Sequence, residues 1–120
     1  MVNRLNGKVK VAAQLEVWDS EYSVPQDTDV LINATSIGMG DATARVELEV
    51  DSLGPSLIVA DVVVNPPHTR LLTEAAGRGC TTLDGLGMLV NQAVISFQIW
   101  TGIEPDPAVM REALEEFLEL

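Results

Sequence analysis

The stretch Leu57-Ile-Val-Ala-Asp-Val-Val-Val64 decides the fold. It is a continuous apolar run rich in β-branched residues, and Asp61 is its only interruption. Such a run is typical of a central strand in a parallel sheet that is covered on both faces. The strand is expected to end at Asn65-Pro66-Pro67, because proline cannot continue the hydrogen-bonded ladder.

The segments on both sides of this run alternate between strand and helix patterns. Residues 29–34 predict a second buried strand that opens into a polar loop, and residues 81–83 predict a short third strand. Three helices are predicted: one capped by Thr69 and stopped by Gly77 or Gly79, one from about Met88 to Trp100 that ends at Gly102, and one that starts at Asp106-Pro107. This order indicates an α/β fold, a parallel sheet flanked by helices with further helices at the C-terminus.

Two other segments are less regular. Residues 9–17 are compatible with a short helix and strand. The alternation from Val46 to Val50 favours an exposed edge strand or an extended connection.

The uncharged stretch from Gly85 to Ile103 raises the question of a membrane span. It contains several amides and hydroxyls and lacks basic flanks, so a buried core helix is the better interpretation. No signal-peptide pattern precedes it, and a cytoplasmic protein is therefore expected.

The composition fits one acidic domain. The 120 residues include 18 acidic and 7 basic side chains, for a net charge of -11. Such a surface repels phosphate backbones, so no nucleic-acid partner is expected. The single cysteine, Cys80, excludes an internal disulfide and a cysteine-rich metal site, and it is interpreted as a small buried residue. His68 is interpreted as a surface loop residue and not a metal ligand, and Met39, Met88 and Met110 as core packing.

Polar residues follow each of the three predicted strands. Asn33-Ala-Thr-Ser36 follows the first, Asn65 the second and Asp84-Gly85 the third. In open parallel sheets, ligands bind outside the carboxyl ends of the strands. One convergent site at this edge of the sheet is therefore predicted, although loops are often polar without binding anything.

Three segments together resemble the signatures of shikimate dehydrogenases. They are Asn33-Ala-Thr-Ser-Ile-Gly-Met39, Asp61-Val-Val-Val-Asn-Pro66 and Asp84-Gly-Leu-Gly-Met-Leu-Val-Asn-Gln-Ala93. Phe97, Trp100, Thr101-Gly102 and Pro105 continue the match, so the resemblance extends from about Asp29 to the C-terminus.

The resemblance implies an NADP-dependent oxidoreductase that interconverts 3-dehydroshikimate and shikimate in aromatic amino-acid biosynthesis. It also implies that residues 1–120 are the C-terminal part of a Rossmann-type nucleotide-binding domain. The family's first strand, its glycine-rich phosphate loop and its N-terminal substrate domain have no counterpart here, so no catalytic residue is assigned. A non-catalytic remnant or interaction module is the alternative. The free sheet edge would allow a homo-oligomer.

The resemblance also assigns cofactor-binding residues. Asn3, Arg4 and Lys8 match the element that holds the 2′-phosphate of NADP, and a guanidinium is chemically suited to phosphate. Leu5 replaces the family's threonine there, and a solvated basic end is the alternative. The strand-end residues would hold the adenosine and nicotinamide sides of the cofactor: Asn33, Ala34, Thr35, Ser36, Val62 and Gly85.

Two further residues are assigned to the substrate. Gln92 matches a glutamine that binds a ring hydroxyl of shikimate, although it would otherwise be interpreted as a polar residue inside a helix bundle. Val64 stands where the family usually has a substrate-contacting tyrosine. Because of this departure, a quinate/shikimate dehydrogenase that uses NAD is a second interpretation of the resemblance.

Overall fold

The computed structural model describes residues 2–120, apart from the side chain of Leu5. Three strands and four helices follow one another in the order α1 (Val2–Asn6), β1 (Val30–Asn33), β2 (Ile58–Asp61), α2 (Arg70–Gly77), β3 (Thr81–Leu83), α3 (Gly85–Thr101) and α4 (Pro107–Phe117). A short 3-10 helix at Val50–Ser52 precedes β2.

The strands form one parallel sheet, as the sequence predicts, and their order is β1-β2-β3. The register pairs Ile32 with Ala60 and Ala60 with Leu83. The central strand ends at Asp61, earlier than the predicted Val64. The Asp61 carboxylate accepts the backbone N–H of Val63 at 3.0 Å, so that N–H is held by a side chain and not by a neighbouring strand.

The core lies on one face of this sheet. Val59 is fully buried there against α2, which contributes Leu71, Leu72 and Ala75. On the other face, Val30, Ile32 and Leu83 are 48%, 59% and 54% exposed. The β2 residues on this face, Ile58 and Ala60, are half-buried, because among the described residues α2 and the loops pack on the opposite face.

The helix α2 forms as predicted. Thr69 is its N-cap and accepts the backbone N–H of Leu72 at 3.4 Å, and this bond satisfies one of the free donors of the first turn. The helix ends at Gly77, and Gly79 then adopts a left-handed backbone with φ of 83°. Glycine takes that conformation without the steric cost that a side chain would bring.

The helix α3 begins earlier than predicted, at Gly85 and not Met88. Asp84 is its N-cap and accepts the N–H of Gly87 at 2.7 Å, so the residues interpreted as a turn form the first helical turn. The expectation of a buried core helix is wrong, because Ile95, Ile99 and Trp100 are 57%, 76% and 82% exposed. Within residues 2–120, no helix is long and apolar enough to cross a membrane.

The segments before β2 are mostly irregular. Residues 9–17 contain neither the predicted helix nor the predicted strand. The segment from Val46 to Val50 is an extended connection and not an exposed edge strand, because Leu48 is buried and forms a single bridge with Tyr22.

The single-residue interpretations have mixed outcomes. Met39 and Met88 are exposed, so their assignment to the core is wrong, and Met110 is half-buried. His68 lies in a loop and is exposed there, as predicted. Cys80 is buried, also as predicted, and this burial raises the pKa of its thiol. The thiol is thereby kept in its neutral form.

Candidate functional site

A buried hydrogen-bond network joins the carboxyl ends of β1 and β2 to the start of α2. The Asn33 amide donates to Asp61 Oδ1 at 3.1 Å, and the Thr69 hydroxyl donates to Asp61 Oδ2 at 2.7 Å. All three side chains are buried. Buried polar groups require such partners, so this network fixes where the two strands end relative to the helix.

Asn33 also shapes the loop that follows β1. Its side-chain oxygen accepts both the N–H and the hydroxyl of Thr35, at 3.1 and 2.7 Å, while its amide donates to the carbonyl of Ile37 at 3.3 Å. The remaining residues of this loop, Ala34 and Ser36, are exposed. Asn33 is therefore a buried anchor, and a ligand would meet the exposed Ala34, Thr35 and Ser36.

Gly85 lies directly against the backbone that follows β2. A Cβ placed on Gly85 would be 2.3 Å from the carbonyl oxygen of Val63 and 2.7 Å from that of Val62. Val62 in turn donates its N–H to the carbonyl of Asn33 at 3.1 Å. The structure thus brings together Asn33, Val62 and Gly85, which the sequence assigned to one site.

A cavity of about 520 Å³ opens beside these strand ends. It is lined on the sheet side by Val62 and Asp84 and on the helix side by Asn91 and Arg111. Arg111 of α4 approaches Asp84 at 3.4 Å and donates to Glu115 at 2.8 Å. The hydrogen bond with Glu115, supported by Asp84, raises the pKa of the Arg111 guanidinium, so a fixed cation borders the cavity.

A second cavity, of about 300 Å³, lies on the other side of the β1 loop. Thr35 and Trp18 line it, together with Arg45. Arg45 pairs with Glu21 and donates to the carbonyl of Leu48 at 2.9 Å, but its Nε is buried without a partner among the described residues. The loop after β1 is therefore bordered by a mostly apolar space with one aromatic and one cationic side chain.

Four of the predicted residues are not gathered at the strand ends. Asn3 and Arg4 are exposed on α1, and Lys8 is exposed in the turn after it. Among the described residues, neither Arg4 nor Lys8 forms an ion pair with this edge of the sheet. Gln92 is exposed two turns into α3 and does not line the cavity of about 520 Å³. Val64 is half-buried just beyond Val63.

The sequence interpretation missed the roles of Asp61 and Arg111. The signal for Asp61 was present, since it is the only charged residue in the apolar run, and a buried charge requires partners. Arg111 gave no such signal, because its contact with Asp84 depends on how α4 folds back along α3. Over residues 2–120, no cluster of three potential metal ligands occurs.

Comparisons with known proteins agree with this geometry. Residues 85–115 match the family described as the Shikimate 5'-dehydrogenase C-terminal domain. The chain is 52% identical over 88 residues to the shikimate dehydrogenase (NADP(+)) of Thermococcus kodakarensis, a match that covers 73% of this chain and 32% of the relative.

Two solved structures are also similar. A 5-ketofructose reductase of Gluconobacter sp. is 51% identical, with a TM-score of 0.89 over 93% of this chain and 40% of that one. A quinate dehydrogenase from Corynebacterium glutamicum, solved in complex with NAD, is 42% identical, with a TM-score of 0.68 over 79% of this chain and 32% of that one.

The parallel sheet and its crossover helix define a partial Rossmann-type fold. The chain matches the C-terminal part of the shikimate dehydrogenase family. It spans about a third of the length of the Thermococcus relative.

Proposed function

We propose that this chain forms one half of the NADP-binding domain of an oxidoreductase that interconverts 3-dehydroshikimate and shikimate. The main support for the proposal is that Asn33, Val62 and Gly85 lie close together at one edge of the sheet, next to a cavity of about 520 Å³. The NADP-dependent activity in the name of the Thermococcus relative agrees with it. A cytoplasmic location is part of the same proposal.

The residues at this edge fit the two nucleoside ends of NADP. The exposed loop Ala34–Ser36 offers backbone groups and hydroxyls to the adenosine side, beside the cavity lined by Trp18. Val62 and Gly85 would border the nicotinamide, which supplies the hydride when the cofactor is bound. Arg4 and Lys8 are the candidates for the 2′-phosphate, which requires α1 to lie closer to this edge in the complex.

The 120-residue chain alone is expected to bind NADP weakly and to turn over no shikimate. The pyrophosphate of NADP requires a helix N-terminus with free N–H donors, and the resemblance assigns none of this chain's segments to that role. Calorimetry with NADP and NAD, on the parent chain and on Arg4→Ala, tests the binding. Tight NAD binding, or NADP binding unchanged in Arg4→Ala, contradicts the assignment of the phosphate site.

A graft gives the sharper test of activity. The matched 88 residues of this chain would replace their counterpart in the Thermococcus enzyme, and shikimate oxidation with NADP would be measured. We expect turnover, because this chain would supply the strand ends that border the cofactor and the Thermococcus enzyme would supply the rest of the protein. A folded graft that binds NADP but oxidises none of the candidate substrates favours the alternative of a non-catalytic interaction module.

The same graft tests Gln92. If its amide binds a substrate hydroxyl, Gln92→Ala should lower kcat/KM for shikimate by roughly tenfold to a hundredfold, while the KM for NADP is unchanged. Gln98→Ala is the matched control, since Gln98 is an exposed glutamine on the same helix. Equal kinetics in both variants would remove Gln92 from the site.

A second candidate function is the reduction of 5-ketofructose. The observation that favours it is the 51% identity to a 5-ketofructose reductase over 93% of this chain. Val64, in place of the family's tyrosine, removes a hydrogen-bond donor that a shikimate site would use. The graft should therefore be assayed with 5-ketofructose and NADPH or NADH, and with quinate and NADP or NAD, before and after Val64→Tyr. If the parent graft prefers 5-ketofructose and Val64→Tyr shifts this preference toward shikimate, 5-ketofructose reduction replaces shikimate oxidation as the proposed function.

A further inference from the structure

Three charged side chains join the start of α3 to the middle of α4. Asp84, the N-cap of α3, accepts the N–H of Gly87 through Oδ1 at 2.7 Å, and its Oδ2 accepts a hydrogen bond from Arg111 at 3.4 Å. Arg111 Nε in turn donates to Glu115 Oε1 at 2.8 Å. The two oxygens of the Asp84 carboxylate therefore bind different helices, and carboxylates on two sides hold the guanidinium.

This cluster borders the cavity of about 520 Å³. Among the described residues that line the cavity, the charged ones are Asp61, Asp84 and Arg111. Glu115 lines an adjoining cavity of about 430 Å³ instead. A Cβ placed on Gly87 would lie 3.9 Å from Arg111 Nη1, so the guanidinium lies beside the first turn of α3. Arg111 is thus the cation that offsets two carboxylates at this cavity.

The two carboxylates are compensated in different ways. Asp61 is buried and accepts three hydrogen bonds from neutral donors. Asp84 is partly exposed, and within residues 2–120 its only ion-pair partner is Arg111. Loss of the Arg111 charge would therefore leave the full charge of Asp84 at the cavity, whereas Asp61 would keep its donors.

The nicotinamide end of the cofactor is sensitive to such a charge. Its ring is a cation in the oxidised form, NADP, and is neutral in the reduced form, NADPH, which carries one more hydride, that is, two electrons and one proton. A fixed charge beside the ring therefore changes the affinity for NADP much more than the affinity for NADPH. An unpaired carboxylate would bind the oxidised form more tightly.

We propose that Arg111 sets the preference of this site between oxidised and reduced cofactor, because it neutralises Asp84 beside the nicotinamide ring. The inference rests on the proposed function, since it assigns the ring to this cavity. The fold match to the longer 5-ketofructose reductase covers 93% of this chain, so the packing of α4 on α3 is compatible with a larger protein. With the ion pair intact, Asp84 gives NADP no advantage over the NADPH that carbonyl reduction requires.

The ratio of the Kd for NADP to the Kd for NADPH tests this role. Calorimetry would measure both constants on a graft into the Thermococcus enzyme whose C-terminal boundary lies after α4, so that Asp84 and Arg111 both come from this chain. Arg111→Met removes the charge and should lower the ratio about fivefold, as expected for one unit charge about 8 Å away at an effective dielectric constant of about 40. Arg111→Lys should keep the ratio within about twofold of the parent, because lysine retains the cation.

Asp84→Asn gives a test of opposite sign. Asparagine is also a good N-cap residue, so the start of α3 should persist. The variant removes the carboxylate and leaves the Arg111 cation, so the ratio should rise. Damage to the fold of the site would weaken the binding of both forms in either variant, and would not move the ratio in opposite directions.

Arg70→Met is the matched control. Arg70 forms the same type of i,i+4 pair, with its Nε 2.8 Å from Glu74, and its side chain is 45% exposed against 42% for Arg111. It does not line the cavity, so its loss should leave the ratio unchanged. If the parent graft binds both forms and the ratio is the same in Arg111→Met and Asp84→Asn, the inference is overturned while the proposed function stands. A folded parent graft that binds neither form overturns both.

Discussion

The contact between Gly85 and the end of β2 leads to a quantitative stability prediction. In Gly85→Ala, the new Cβ would lie 2.3 Å from the Val63 carbonyl oxygen and 2.6 Å from its carbon. A comfortable carbon–oxygen distance is about 3.3 Å, so the backbone segments must separate by about 1 Å. Both partners are backbone atoms and no side-chain rotation relieves the clash. We expect a destabilisation of about 2–3 kcal/mol, after allowing for the better helix propensity of alanine.

Thermal unfolding followed by circular dichroism measures this effect. For a chain of this length, 1 kcal/mol corresponds to about 4 °C, so Gly85→Ala should melt about 8–12 °C below the parent. Gly77→Ala is the control, because Gly77 is also helical and a Cβ placed on it would meet no neighbouring atom within 4 Å. It should melt about 2–4 °C above the parent, since alanine lowers the entropy of the unfolded chain. Gly85→Ala melting within about 2 °C of the parent would refute the steric argument.

Three further predictions follow from individual contacts. Thr69→Ala should destabilise the chain by about 2–4 kcal/mol in urea unfolding, because it removes an N-cap and leaves Asp61 Oδ2 without its partner, whereas Thr69→Ser should stay within about 1 kcal/mol of the parent. Hydrogen bonds from the side chain and backbone of Thr43 lower the pKa of Asp41, so an NMR titration should show this pKa moving up in Thr43→Val; an unchanged value contradicts the assignment. Burial raises the pKa of Cys80, so iodoacetamide should modify the thiol at least tenfold more slowly in the folded chain than in urea, and equal rates would disprove its burial.

The parallel sheet was predictable because its strands carry strong local signals. The β-branched run around Val59 specifies a buried strand without reference to distant residues. The end of β2 at Asp61 was not predictable in this way, because it depends on the hydrogen bond from Val63 N–H to the Asp61 side chain. The start of α3 was missed for a related reason, since Gly85 and Gly87 resemble a turn until Asp84 is recognised as an N-cap.

Exposure was the least predictable property of the chain. The pattern of α3 is apolar nearly all round and predicts a buried helix. Whether Ile95 and Ile99 are buried depends on what packs against them, and both stay exposed although α4 packs on α3. The candidate site was also only partly predictable. Contacts within the chain fix the positions of Asn33 and Gly85, whereas the position of Arg4 depends on where α1 lies.

The Asn33–Asp61–Thr69 network divides this edge of the sheet into positions that the fold requires and positions that can change more freely. Asn33 and Thr69 each donate a hydrogen bond to the Asp61 carboxylate, so a substitution at any of the three positions lowers the free energy of unfolding. Val64 lies three residues beyond Asp61, and its apolar side chain takes no part in this network. A lineage with this scaffold can therefore exchange the side chain at position 64 at a smaller cost in stability than at Asn33, Asp61 or Thr69.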